Sequence, residues 1–129
     1  LKEKKDRVED AIYATKAALQ EGIVSGGGVA LLDAHFNIKP ENEGECILLE
    51  AIKSPYDTIL DNANLPIKYT GKKGTGINVT CNKHVNMIKA GIIDPVLVTK
   101  TALKNAVSVV NTIFSADCVI SNIRINAGN

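Results

Sequence analysis

The chain has 129 residues, 45% of them apolar, and its 15 basic against 14 acidic side chains leave a formal charge of +1. That is material for one domain with an ordinary core. It excludes a global field favouring nucleic acid or an anionic membrane, so neither is expected as a partner and any phosphate contact has to be local. Cys46, Cys81 and Cys118 stand at wide spacings with no Cys-x-x-Cys pair, which argues against a disulfide framework and a zinc site and reads as reduced thiols in a cytosol-like compartment.

Over residues 2–20, Val8, Ala11, Ile12, Thr15, Ala18 and Leu19 recur at three- and four-residue steps. That spacing predicts one amphipathic helix, continuous from 3 to 20. The start, LKEKKDRVED, reads as a charged helix and not as a signal peptide, and its lack of Met is expected of a piece of something longer. Gly22 is a C-terminal stop, Ile23 and Val24 are a short apolar link, and Gly26 to Gly28 break the chain before a second helix over about 28–34. Ser25 or a glycine would cap that helix.

Residues 36–45, polar and containing Pro40 and Gly44, are expected to form a loop. A third helix is expected over about 46–62, kinked or divided by Pro55. Residues 65–86 are rich in Gly, Thr and β-branched residues, which predicts short strands joined by a glycine turn over 71–76. Asp94 then stands where it would cap a helix whose first position is Pro95. This last helix, about 95–115, is apolar around most of its circumference and is expected to be the most buried. Residues 117–123 read as a final strand without a hairpin partner, one that needs an edge from elsewhere. The expected fold class is mainly α with a small β portion.

Four blocks, KEKKDRVEDAIYATKAALQEGIVSGGGVALL, GIN, AGIIDPVLVTKTALKNAVSVV and DCVI, resemble in that order the C-terminal part of the group I chaperonins, the GroEL-type ring proteins that refold other proteins using ATP. The resemblance covers nearly the whole chain. It implies that residues 1–20 are the end of an intermediate domain and that 21–129 are the C-terminal half of the equatorial, ATP-binding and ring-forming domain.

Site roles follow from the same resemblance. Asp10, in RVED, matches the carboxylate that the intermediate domain swings onto the nucleotide to orient the attacking water; as an isolated residue it reads as a solvated helix charge, and only the register of the motif singles it out. Gly26 and Gly27 match a wall lying against the nucleotide, beside the plainer reading of a helix cap with close packing. Asn78, Val79 and Thr80 match the segment that passes the adenine edge, although the family usually carries small alanines after the asparagine. Ile92 and Asp94 match an apolar contact to the base and a carboxylate on the ribose, with a plain N-cap as the other reading of Asp94.

ATP and magnesium are implied as cofactors of the parent protein. The phosphate loops of GDGTT type and the magnesium-binding aspartate belong to the family's N-terminal half, and nothing in this chain resembles them. Implied partners are other chaperonin subunits in a homo-oligomeric ring, a co-chaperonin and unfolded clients, in the cytoplasm or in a mitochondrial or plastid matrix. Departures from the family are a shorter span between GGGVALL and GIN and no Gly-Met-rich tail. The alternative reading is a stand-alone helical protein-interaction module without nucleotide chemistry.

Overall fold

A computed structural model describes residues 2–118 and 120. Along it run α1 (Lys2–Glu21), β1 (Ile23–Ser25), α2 (Val29–Asn37), α3 (Glu43–Ala51), α4 (Ser54–Asn62), β2 (Thr75–Asn78), β3 (Lys83–Asn86), β4 (Ile93–Pro95) and α5 (Val96–Phe114). The mainly helical reading with a small β portion holds.

The continuous first helix is present and ends where Gly22, at φ +84°, turns its N–H onto the Ala18 carbonyl at 2.8 Å. Its covered face is not the periodic stripe. Only Ala17 is buried on α1, while Val8, Ile12, Tyr13 and Leu19 are exposed. Small alanines allow close approach to α5 and β4, against which α1 packs.

β1 pairs antiparallel with β4, Ile23 opposite Pro95 and Ser25 opposite Ile93. The pairing is extended at both ends, by Val96 N–H to Gly22 O at 3.1 Å and Gly26 N–H to Ile92 O at 3.0 Å. Beyond β1 the glycine turn leads into α2. Gly28 has φ +76°, and a Cβ there would lie 2.7 Å from Tyr56 N, so both the backbone angle and the lack of space require glycine.

Two expectations in the middle of the chain shift. The loop expected over 36–45 is shorter, because α2 runs to Asn37 and α3 begins at Glu43. Asn42 Oδ1 accepts the Glu45 N–H at 2.9 Å while the Glu45 carboxylate accepts the Glu41 N–H at 2.7 Å, a reciprocal cap that starts α3 early. Pro55 divides the expected third helix outright, since it occupies the first turn of a separate α4.

The hairpin turn is not the glycine-rich stretch 71–76. Strands β2 and β3 pair from Thr75–Asn86 to Asn78–Lys83, so the turn is 79–82, with Asn82 left-handed at φ +51°. Gly76 lies inside β2 for reasons of space: a Cβ there would come within 2.5 Å of Val29 Cγ2 and 3.3 Å of Tyr56 Cε2. Around these contacts Val29, Leu32, Tyr56, Leu60, Ile77 and Met87 form the buried core, between α2, α4 and the hairpin.

The last helix corrects two expectations. Pro95 is its cap (φ −67°, ψ 133°) and not its first position, and no side chain, Asp94 included, caps it. No residue of α5 is buried; Val98, Val109, Val110, Ile113 and Phe114 are all exposed. An apolar helix is buried only if neighbours cover each apolar side, and here α1 packs on one side while a groove of about 1080 Å³ separates α5 from α2, α3 and α4. The strand expected over 117–123 lies largely outside the described residues.

Tyr69 ties the segment before β2 to α4. Its hydroxyl donates to Asp57 Oδ1 at 2.8 Å, and its ring stands edge-on to Phe36 at 5.7 Å. Burial, aided by the bond to the Asp57 carboxylate, pushes its phenol from 10 up to about 12. The folded state therefore holds this proton more tightly than the unfolded chain, so the contact's stabilisation is complete below pH 10 and is lost as the pH rises through about 12. Ultraviolet titration should show a tyrosinate step near pH 12 that Tyr69→Phe removes.

Packing at the glycines is tested by substitution. Gly76→Ala is expected to destabilise by about 1–3 kcal/mol through overpacking against Val29. Gly44→Ala, in the exposed first turn of α3 with its nearest neighbour at 3.4 Å, should be neutral or stabilising by about 0.5 kcal/mol. Urea unfolding midpoints of the two variants decide it.

Candidate functional site

Four of the expected site residues converge where the glycine turn meets the segment leading into β4. Gly26 is buried; besides its N–H bond to Ile92, a Cβ on it would meet the Ile93 backbone at 3.0 Å and the Ile92 carbonyl carbon at 3.1 Å. Gly27 has φ +65° and room for a Cβ only 3.0 Å from Met87 Cε and 3.9 Å from Ile92 Cγ2. Gly26 is thus demanded by backbone contacts within the chain and Gly27 by its left-handed backbone, whatever else they meet.

Asp94 lies opposite Val24 in the β1–β4 pair and is half-buried. Together with Gly27 and Gly28 it lines one end of the groove beneath α5. Ser25, read from the sequence only as a helix cap, is buried and lines the same end, as does Thr99. No sequence signal marks Ser25 as a wall residue, because its place follows from the pairing of two strands nearly seventy positions apart.

The rest of the groove is aliphatic, with Leu31, Ile47, Ile59, Val98 and Ala102 among its walls, and Asp94 is the one charged side chain among the described lining residues. A carboxylate beside a bare backbone at the end of an apolar slot can accept hydrogen bonds from paired hydroxyls while a planar ring lies on the apolar wall.

Asn78, Val79 and Thr80 are not part of this cluster. Asn78 ends β2 and Val79 and Thr80 lie in the hairpin turn, at the opposite end of the ladder from Gly74 and Met87. Asn78 Oδ1 accepts the Thr80 N–H at 3.0 Å, and Val79 and Thr80 are exposed. Asp10 is also separate: it is exposed on α1, twelve residues before Gly22, which is roughly 18 Å along a helix.

Among the described residues no group of three His, Cys, Asp or Glu could hold a metal ion. His84 is exposed on β3. His35 is structural, its Nδ1 2.9 Å from the Leu49 carbonyl oxygen, so that Nδ1–H donates and ties α2 to α3.

Residues 1–124 match the sequence model of the TCP-1/cpn60 chaperonin family. The chain belongs to this chaperonin family. Its fold is similar to that seen in the crystal structure of a group III chaperonin in the open state, with a TM-score of 0.62 and 24% identity over 81% of this chain. The chain spans 25% of that chaperonin's length.

In this chaperonin chain Asp94 is expected to be dispensable for folding. Its β4 pairing uses backbone groups and its carboxylate caps nothing, so Asp94→Ala should change unfolding free energy by less than about 0.5 kcal/mol, against about 1 kcal/mol for loss of a true N-cap. Urea unfolding measures the difference.

Proposed function

We propose that this chain is the C-terminal part of an ATP-dependent chaperonin subunit of group I, GroEL-like type, which assists folding of other proteins by cycling a ring through ATP hydrolysis. The observation that carries the reading is that Gly27 and Asp94 line the same apolar groove, with the neighbouring Gly26 bonded to Ile92, in a chain of the chaperonin family. The blocks RVEDA, GGGVALL and GIIDP favour the group I type.

On this reading residues 1–20 end the intermediate domain and 21–129 form the C-terminal half of the equatorial domain. Asp94 accepts hydrogen bonds from the ribose, Ile92 packs on the base, and Asn78, Val79 and Thr80 border the adenine edge from the hairpin. Gly27 supplies the bare backbone facing the nucleotide. Magnesium and the triphosphate are held by the N-terminal half.

The same N-terminal half fills the groove between α5 and the α2–α4 layer. That accounts for an apolar helix with no buried residue more directly than a stand-alone interaction module does. Partners of the whole protein are other subunits in a ring, a co-chaperonin and unfolded clients, in the cytoplasm or an organelle matrix.

Asp10 reaches the nucleotide only if α1 swings. Gly22, at φ +84° with nothing within 4 Å of its Cβ position, is the natural pivot. In the full-length subunit Asp10→Ala should leave ATP affinity nearly intact and slow hydrolysis roughly 10²-fold, the loss expected for positioned acid–base assistance, or about 2.7 kcal/mol of barrier. Glu9→Ala, pointing about 100° away around the helix, should change turnover little. ATP titration and single-turnover hydrolysis of both variants decide it; an unimpaired Asp10→Ala, or an equally impaired Glu9→Ala, ends the assignment.

A further inference from the structure

We propose that Asp33, which the resemblance leaves without a role, is a positioning residue that holds the Gly26–Ile92 wall in place; its link to ATP rests on the nucleotide reading above. Asp33 lies on α2, half-buried, and its Oδ2 accepts the Gly74 N–H at 2.8 Å from 41 residues away. Gly74 stands at φ +69°, just before β2, and an added Cβ would lie 3.4 Å from Ser25 Oγ, so the clipped residue sits directly over β1.

From Gly74 a line of backbone hydrogen bonds continues to the candidate site. Gly74 O accepts the Met87 N–H at 3.0 Å, Met87 O accepts the Ile92 N–H at 2.9 Å, and Ile92 O accepts the Gly26 N–H at 3.0 Å. Gly26 O in turn accepts the Val29 N–H at 3.3 Å. The circuit therefore begins on α2 at Asp33 and returns to α2 at Val29, enclosing the hairpin base, the segment into β4 and the glycine turn.

Every link but one is backbone to backbone. The exception is the Asp33 carboxylate, whose charge makes its bond to an amide one of the stronger kind and which is the one member a substitution can delete. Removing it frees the hairpin base to lift from α2, and the peptide bonds of Met87 and Ile92 carry that freedom to Gly26. Gly27 and Asp94 then lose the fixed spacing a bound nucleoside needs, because a site left loose by about an ångström binds poorly.

The experiment uses the full-length subunit carrying Asp33→Ala or Asp33→Asn, with hydrogen exchange read at the amides of Gly74, Met87, Ile92 and Gly26, and ATP affinity read by titration. Asp33→Ala should raise exchange at all four amides, by about tenfold at Gly74, and weaken ATP binding about five- to tenfold, more than it lowers single-turnover hydrolysis at saturating ATP. Asp33→Asn keeps an oxygen acceptor and should restore most of both; if the alanine variant does not fold, a smaller rise at the same four amides in the asparagine variant carries the test. Faster exchange confined to Gly74, with Ile92 and Gly26 unchanged, overturns the proposal, as does ATP affinity unaltered in Asp33→Ala. A subunit that binds no ATP before mutation instead refutes the nucleotide reading, and the exchange pattern still decides whether Asp33 holds the wall.

Discussion

Tyr56 is held between two glycines, and the position of everything around the candidate site depends on that contact. Gly28 comes so close to the Tyr56 backbone that a Cβ would stand 2.7 Å from its nitrogen, and Gly76 leaves space for the edge of its ring. The side chain is 2% exposed, and its hydroxyl donates to the Lys68 carbonyl oxygen at 3.3 Å, so its polar end is satisfied without breaking the core. One residue of α4 thereby fixes the start of α2 on one side and strand β2 on the other. Burying a large aromatic supplies the apolar area, and the glycines set how closely three elements approach to share it.

From that anchor the site follows by short steps. Fixing Gly28 fixes the glycine turn, and Gly26 bonds to Ile92, the residue before β4. β4 pairs with β1, which places Asp94 at the end of the groove. The two candidate wall glycines separate physically at this point. Gly26 is buried against the Ile92–Ile93 backbone, whereas Gly27 lines the groove. A ligand there meets Gly27 directly and depends on Gly26 only through the shape of the turn.

The apolar surfaces left open on α1 and α5 follow from the same geometry. β1 and β4 bring the end of α1 beside the start of α5, and Lys100 reaches the Glu21 carboxylate at 2.7 Å across that junction. This exposed ion pair is worth little by itself; the pairing of strands holds the helices together. One alanine-rich edge of α1 cannot cover a 19-residue helix that is apolar around most of its circumference. Contiguous exposed apolar surface of this kind marks an interaction face.

What the sequence determined by itself was local. The first helix and its stop at Gly22, the break at Gly26 to Gly28, the division at Pro55 and the mainly helical class were legible because each depends on periodicity or on one residue's backbone preferences, both carried by neighbours in the chain. The RVEDA, GGGVALL and GIIDP blocks carried the chaperonin resemblance for the same reason: they are contiguous. Tertiary structure decided the rest. Gly76 reads as a turn residue until Val29 and Tyr56 are placed against it, Asp94 reads as a cap until β1 lies beside it, and Asp33 has no role until Gly74 reaches it from 41 residues away. The exposure of α5 shows the limit most plainly, since an apolar circumference specifies that a helix can be buried, whereas burial itself requires neighbouring surfaces that its own sequence does not contain.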